Sequence, residues 1–410
     1  MAVTALYVHV PFCAQKCRYC DFDSRSFASC DLDAALDSYF EQLYARLDAF
    51  GKAGALDQIR TVYVGGGTPS LAGERLVKLA RRISMWCKPV EFTCEANPES
   101  LTAELATALA KVGVTRISLG VQTLDNTELA AIGRIHDANR ALAAIATVKD
   151  AGLDVSCDLM CGLPGQTGAS WQRTLDGVLA AAPHHVSVYP LTLEEGTPLY
   201  RMACRDESLE PDEDFQAACM DVARKLLGAA GYHPYEVASY ALDGRECAHN
   251  IAYWTGGGYL GLGRSAAGML DAEDFDRLAG LFPGVSARGD AYRVRLVQRD
   301  DDATAFEAEY LSQREAAAED LMLACRMTRG VASDLLVRAA SVIAADELAA
   351  ACDRALELGL ATWVPETLGV HEGPFTSADV VAGRVRARLA PTHLGWLDGN
   401  VLFELFWDLA

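Results

Sequence analysis

YVHVPFCAQKCRYCDF, residues 7–22, decides the fold. The apolar approach LYVHVP (6–11) reads as a strand, and it runs straight into Cys13, Cys17 and Cys20 at the spacing C-x3-C-x2-C. Three thiolates so spaced can each take one iron of a 4Fe-4S cluster, leaving the fourth iron open to an exchangeable ligand. Three unrelated buried cysteines, or a zinc site, would carry the same spacing. A strand that delivers a cysteine loop fits the cluster better than either, and the rest of the chain bears on the choice.

Outward from that strand, short apolar runs recur at TVYVG (61–65), EFTCE (91–95), RISLGV (116–121), DVSCDLM (154–160) and HVSVYPL (185–191). Helical patterns fill the gaps at 33–50, 71–86, 101–112, 137–151 and 168–182. Strand–helix alternation at this spacing predicts an α/β fold of parallel βαβ units, and six of them make a partial (β/α)6 barrel. Functional residues then belong at the C-terminal ends of the strands. Residues 212–230 read as a further helix. A glycine-rich extension over 231–268 contains HNIAYW (249–254), expected outside the six-strand core. The barrel and its extension thus take 1–268. Residues 269–312, where charge clusters in VQRDDDATAFEAE (297–309), read as a connecting segment. Residues 313–410 read as a smaller, mainly helical domain, with helices at 313–328 and 345–358, a hairpin from ATWV and RVRARL, and a helical run over 395–409. That order is winged-helix-like.

The chain has 410 residues, 51% of them hydrophobic, ample for a large core and a second, smaller one. A net charge of −20 argues against broad nucleic-acid binding, which needs a basic face. Arg384, Arg386 and Arg388 alternate along a strand rather than lining a recognition helix, so DNA binding is not expected of the C-terminal part either. No run of about 18 apolar residues predicts a membrane span. The start, MAVTALYVHVPF, lacks the basic region of a signal peptide. Thirteen cysteines without an export signal predict a reducing cytoplasm, where thiols stay free for metals.

In order along the chain come YVHVPFC, GGGTPS (65–70), EANP (95–98), RISLGVQ (116–122), GRIH (133–136), DLMCGLPGQT (158–167), SVYPLTLEEGTPL (187–199), YEVASYA (235–241) and HNIAYW. Together they resemble the oxygen-independent coproporphyrinogen III oxidase-like family of radical S-adenosylmethionine (SAM) proteins, and within it the HemW heme chaperone branch. The resemblance covers nearly the whole chain. It implies a radical SAM barrel in which Cys13, Cys17 and Cys20 hold the cluster and SAM chelates the open iron. Gly66, Gly67 and Thr68 would hold the methionyl end of SAM, since glycines let backbone approach a ligand and leave N–H groups free to bond it. Glu95 would accept from the SAM ammonium or a ribose hydroxyl. Gln122, Arg134 and Asp158 are further implied SAM contacts, and Tyr7 and Tyr19 stand close enough in sequence to join them.

Residue 22 separates the two branches. Oxidases of this type continue C-x3-C-x2-C-x-C, whereas here Phe22 holds the fourth cysteine position. Only twelve residues precede Cys13, short of the oxidases' longer leader. Both features favour the chaperone, which is not expected to oxidise coproporphyrinogen; the alternative is a tetrapyrrole-modifying radical SAM enzyme. In the chaperone branch HNIAYW is a heme-binding signature. His249 is its implied axial ligand, with Cys247 as a less favoured thiolate, and Tyr253 and Trp254 offer flat faces to a macrocycle. A heme-acceptor protein, an electron donor and a homodimer are further implied partners. One departure stands out: after YLGLG the family has a Pro-Gly-Ala-His run, and here Ala267 replaces the histidine.

Overall fold

The computed structural model describes residues 2–26, 29–366 and 374–410. All six expected strands form: Val3–Val10, Thr61–Gly66, Glu91–Ala96, Arg116–Gln122, Asp154–Cys161 and His185–Pro190. Each pairs in parallel with the next in chain order. Helices Glu74–Trp86, Ala103–Lys111, Ala138–Asp150 and Gly168–Ala181 return the chain between them. Their starts follow from local chemistry. Thr102, Asp137 and Thr167 each accept a backbone N–H of the first turn, satisfying donors that no helix can pair internally.

Strand alternation sorts the side chains into two environments. Leu6, Val8, Val62, Val64, Phe92, Ile117, Leu119, Val155, Val186 and Val188 are fully buried under the helices and make the main core. The opposite face carries Tyr7, His9, Tyr63, Thr93, Glu95, Ser118, Asp158 and Ser187. A concave face lined with hydroxyls, imidazole and carboxylates is a poor core and a good ligand surface. This is the partial (β/α)6 barrel expected from the sequence.

The sheet continues beyond six strands. Gly258–Leu262 pairs in parallel with the other edge of the first strand, so Val3–Val10 has parallel neighbours on both sides. Antiparallel strands Ala267–Asp271, Arg293–Gln298 and Phe306–Leu311 follow. At the far edge Ser239–Ala241 and His233–Pro234 complete a twelve-stranded sheet. Residues 269–312, read from sequence as a connecting segment, thus carry a helix (Ala272–Leu278) and two strands of their own. Their charges are a strand pattern: Arg295 sits opposite Glu309 and forms an ion pair with it.

The C-terminal part has a separate core of Leu321, Leu336, Ile343, Leu348, Cys352, Val380, Leu389, Leu402 and Phe406. Helices Gln313–Ala324, Ser333–Ala339 and Ala345–Glu357 precede an antiparallel hairpin of Ala361–Pro365 with Ala387–Pro391. The run expected as one helix over 395–409 is two, His393–Leu397 and Gly399–Trp407, because Asp398 between them leaves helical geometry (ψ 39°).

Candidate functional site

At the C-terminal end of the first strand the chain turns into the cysteine loop. Cys13, Cys17 and Cys20 are all free, and each lies close enough to feel the charge of another. Burial pushes the Cys13 thiol up and the Cys20 thiol to about 11, so these two would lose protons only to a bound cation. Among the described residues no three His, Cys, Asp or Glu side chains converge on a single ion. Soft thiolates suit iron–sulfur chemistry.

Gly67 is held against this loop. A Cβ there would stand 2.6 Å from the Phe12 carbonyl oxygen and 2.9 Å from Cys13 Sγ. Gly66 adopts φ 118°, a conformation that L residues rarely take, and a Cβ on it would meet the His9 ring at 2.8 Å. Thr68 Oγ1 donates to Cys13 Sγ (3.7 Å) and accepts from Asn97 Nδ2 (2.9 Å). Arg134 ties the loop to the neighbouring strand ends: its guanidinium donates to Cys17 Sγ (3.5 Å), Asn97 Oδ1 (2.7 Å) and the Gly120 carbonyl (2.5 Å). Gln122 sits at a bulge with φ 65°, ending the fourth strand. Tyr19 is half-buried, and desolvation of its phenol raises the pKa; Arg134 beside it opposes the rise, while Cys17 and Cys20 add to it.

Inside the barrel Glu95 accepts from Tyr63 Oη (2.9 Å) and the Gly66 N–H (3.0 Å). Asp158 accepts from Ser118 Oγ (3.1 Å). Burial raises Glu95 to about 7 and Asp158 to about 6, and Asp158 adds to the rise of Glu95. Two carboxyls raised by desolvation on a lined concavity are suited to a cationic group or to further hydroxyl donors. Thr93 Oγ1, buried on the same face, has no hydrogen-bond partner among the described residues.

HNIAYW, expected outside the six-strand core, lies in a helix, Ala248–Trp254, that packs against the N-terminal end of the barrel. Glu91, the first residue of the third strand, accepts the N–H groups of Ala248 (2.8 Å) and His249 (3.0 Å). Arg116, the first residue of the fourth, pairs with Glu91 (3.2 Å) and donates to the Arg245 and Glu246 carbonyls. His249 is 1% exposed and stacks on Tyr63 at 5.3 Å. Its Nδ1 bonds Thr61 Oγ1 (3.0 Å) and its Nε2 bonds Tyr253 Oη (3.1 Å). Burial lowers it to about 3, so the imidazole is neutral. Both ring nitrogens are engaged, and ligation of a metal by His249 requires Nε2 to release Tyr253. Cys247 points elsewhere, its thiol bonding Glu91 and raised by burial to about 12.

Beside this helix lies a cavity of about 380 Å³, within the range of small-molecule sites. Tyr7, Tyr253, Trp254, Tyr259, Ala267 and Met269 are on its wall, while His249 is not. The structure therefore brings together the cysteines, Gly66, Gly67, Thr68 and Arg134 at one end of the barrel. Glu95, Asp158 and Tyr7 lie within it, and His249 is at the other end. Sequence reasoning missed Asn97, which bridges Thr68 and Arg134, and Tyr63, which links Glu95 to His249. The alternation of the second strand was the available signal for Tyr63.

Residues 7–178 match the Radical SAM superfamily. The heme chaperone HemW of Mycobacterium tuberculosis is 37% identical over 270 residues, 65% of this chain and 69% of that protein. The heme chaperone HemW of Lactococcus lactis is 33% identical over 330 residues, 79% of this chain and 82% of the relative. The structure of coproporphyrinogen III oxidase from Escherichia coli, described as a radical SAM enzyme, superposes with a TM-score of 0.73 over 99% of this chain and 90% of its own, at 18% identity. At that identity the likeness is one of fold.

Proposed function

The chain belongs to the HemW heme chaperone family of radical SAM proteins, and on that premise we propose that it binds heme and hands it to an acceptor protein. The observation that carries this reading is the identity of 33–37% to chaperones so named, over 69–82% of their length. Phe22 in place of a fourth cysteine supports it.

Cys13, Cys17 and Cys20 are proposed to hold a 4Fe-4S cluster, one thiolate per iron. The cluster would supply a reducing electron and an open iron for the amino acid part of SAM. Gly66, Gly67 and Thr68 line the approach to that iron with backbone donors and a hydroxyl. Glu95 and Asp158 would receive the ammonium or ribose hydroxyls of SAM, and a bound cation there would offset the cost of their burial. Arg134, Gln122, Tyr7 and Tyr19 complete the proposed SAM surroundings. Arg134 also shields the charge of Cys17. Tyr253 and Trp254 give the heme its flat apolar wall, with His249 behind them. A reducing cytoplasm, an electron donor, a heme acceptor and a homodimer belong to the same proposal.

Anaerobic reconstitution tests it. The cluster-loaded protein should bind hemin stoichiometrically, pass it to an apo-hemoprotein, and leave coproporphyrinogen III unchanged. Oxidative decarboxylation of coproporphyrinogen, or no hemin uptake, would overturn the chaperone reading.

A further inference from the structure

Two residues on the wall of the cavity beside the helix Ala248–Trp254, Tyr7 and Ser265, connect to the same place in the cysteine loop. Ser265 Oγ donates to Asp23 Oδ2 (2.5 Å), an oxygen that also accepts from Arg264 Nε (2.8 Å). The second route runs through His9. Its Nε2 bonds the Asp23 carbonyl oxygen (3.0 Å), which can only accept, so the neutral ring carries its proton there and Nδ1 accepts from the Tyr7 phenol (2.9 Å). Asp23 follows Cys20 closely. The Cys17 side of the loop is fixed to the barrel by Arg134 and by the Arg18 N–H on the Ile132 carbonyl (2.9 Å). On the Cys20 side, Asp23 joins the loop to the first strand and to residues 264–265.

Resting on the heme and SAM reading for its two ligands, we propose that Asp23 is the positioning residue of the Cys20 side of the loop, and that its latch on Ser265 couples occupancy of the cavity to SAM binding at the cluster. Ser265 is the part that can move. It holds φ 60°, a left-handed conformation that costs an L residue and that glycine takes freely. It also stands in the glycine place of the Pro-Gly-Ala-His run that this chain lacks. The serine thus gives up the residue best suited to the turn and adds a hydroxyl, and that hydroxyl is bonded to the cysteine loop. Its N–H is anchored on the Gln298 carbonyl (2.6 Å). When Oγ releases Asp23, the strain is relieved by rotation at Ser265, and the cavity wall moves with it.

Coupling requires an element with two arrangements that both sites bias. Latched, Ser265 completes the cavity wall and Asp23 holds the loop in place. Released, both are looser. A flat macrocycle packed on the wall favours the latched arrangement. SAM does the same, because its site needs the cysteine loop in register with Gly66, Gly67 and Thr68. Gly66 meets this network directly: a Cβ on it would stand 2.8 Å from the His9 ring. Each ligand finds part of the ordering already done by the other, so the coupling is positive. The ion pair alone would not carry it, since Arg264 and Asp23 are 36% and 35% exposed and such pairs stabilise little.

The test is a linkage measurement on the reconstituted protein with its cluster oxidised, a state that lacks the electron needed to split SAM. SAM affinity is measured with and without saturating hemin, and hemin affinity with and without saturating SAM. In the wild-type protein each ligand should tighten the other by about fivefold or more, and the two factors should agree. Ser265→Gly keeps the turn and removes the hydroxyl. Each ligand alone should still bind, while the factor falls toward one. Asp23→Ala, with cluster content and far-UV circular dichroism as controls, should abolish the factor. A residue that merely supported the fold would weaken both affinities and leave the factor intact. A wild-type factor of one with both ligands bound, or a factor unchanged in Ser265→Gly, would overturn the latch and leave the heme carrier standing. A wild-type protein that takes up no hemin would overturn the carrier reading and the coupling with it.

Discussion

Glu95 and Asp158 are two carboxyls whose folded-state pKa values lie above their unfolded ones, at about 7 and about 6. In the window between the ordinary carboxylate range and those values the folded, ligand-free chain binds more protons than the unfolded one. Stability is then fully present at low pH within that window and falls as pH rises through it. For Glu95 alone the loss is on the order of 3 kcal/mol, since each tenfold change in proton affinity is worth about 1.4 kcal/mol. Urea midpoints of the ligand-free protein should therefore drop between pH 5 and pH 8. Asp158→Asn should flatten the slope, because Ser118 and Ser187 are hydroxyls that can turn to suit an amide. A midpoint that rises with pH would show that the two groups are ionised at no cost. At this scale the sequence was partly legible. Motif order named Glu95, Arg134 and the glycines. It held no sign that both nitrogens of His249 are taken, since that depends on Thr61 and Tyr253 arriving from different elements.

Among the elements, the helix Ala248–Trp254 was the least readable. Seven residues are too few to stand alone as a helix, and its N-terminus has no side-chain cap of its own. What holds it is Glu91 from a distant strand, which accepts two of its free N–H groups and pairs with Arg116. Removing that carboxylate leaves Arg116 buried and unpaired, so Glu91→Ala should destabilise the protein by about 3–5 kcal/mol. It should also raise hydrogen exchange in 245–257 more than in the barrel strands, as followed by mass spectrometry. Uniform exchange across both regions would mean that the helix is held by packing alone. By contrast, the six barrel strands were legible almost to the residue, because apolar alternation and intervening amphipathic helices report one architecture. The strands Arg293–Gln298 and Phe306–Leu311 were hidden by their charge: alternating arginines and glutamates satisfy each other across the ladder, and in one dimension they look like a linker.

Across the whole molecule, the C-terminal part is joined to the barrel sheet by charge as well as by packing. Arg293 grips Asp320 of the helix Gln313–Ala324 through two bonds of 2.7 Å, and Arg295 pairs with Glu319 one residue earlier. Arg293 and Glu319, one residue of each pair, line the cavity. Asp320→Ala should cost about 2 kcal/mol, less than a fully buried pair because both side chains keep some contact with water. It should also speed limited proteolysis near residue 312 without altering cluster content. Unchanged cleavage there would mean that the two cores stay docked without this pair.

The double pairing of the first strand sets the order in which the molecule is made. Its partner on one side, Thr61–Gly66, leaves the ribosome early, but the partner on the other side does not exist until Gly258–Leu262 has been synthesised. At ~5–20 residues per second the nascent chain spends roughly 10–50 s with that edge open. An apolar strand with an open edge is an aggregation hazard for as long as its second partner is missing. Clearing the cell of misassembled chains would fall to chaperones acting on this protein before it can carry anything itself.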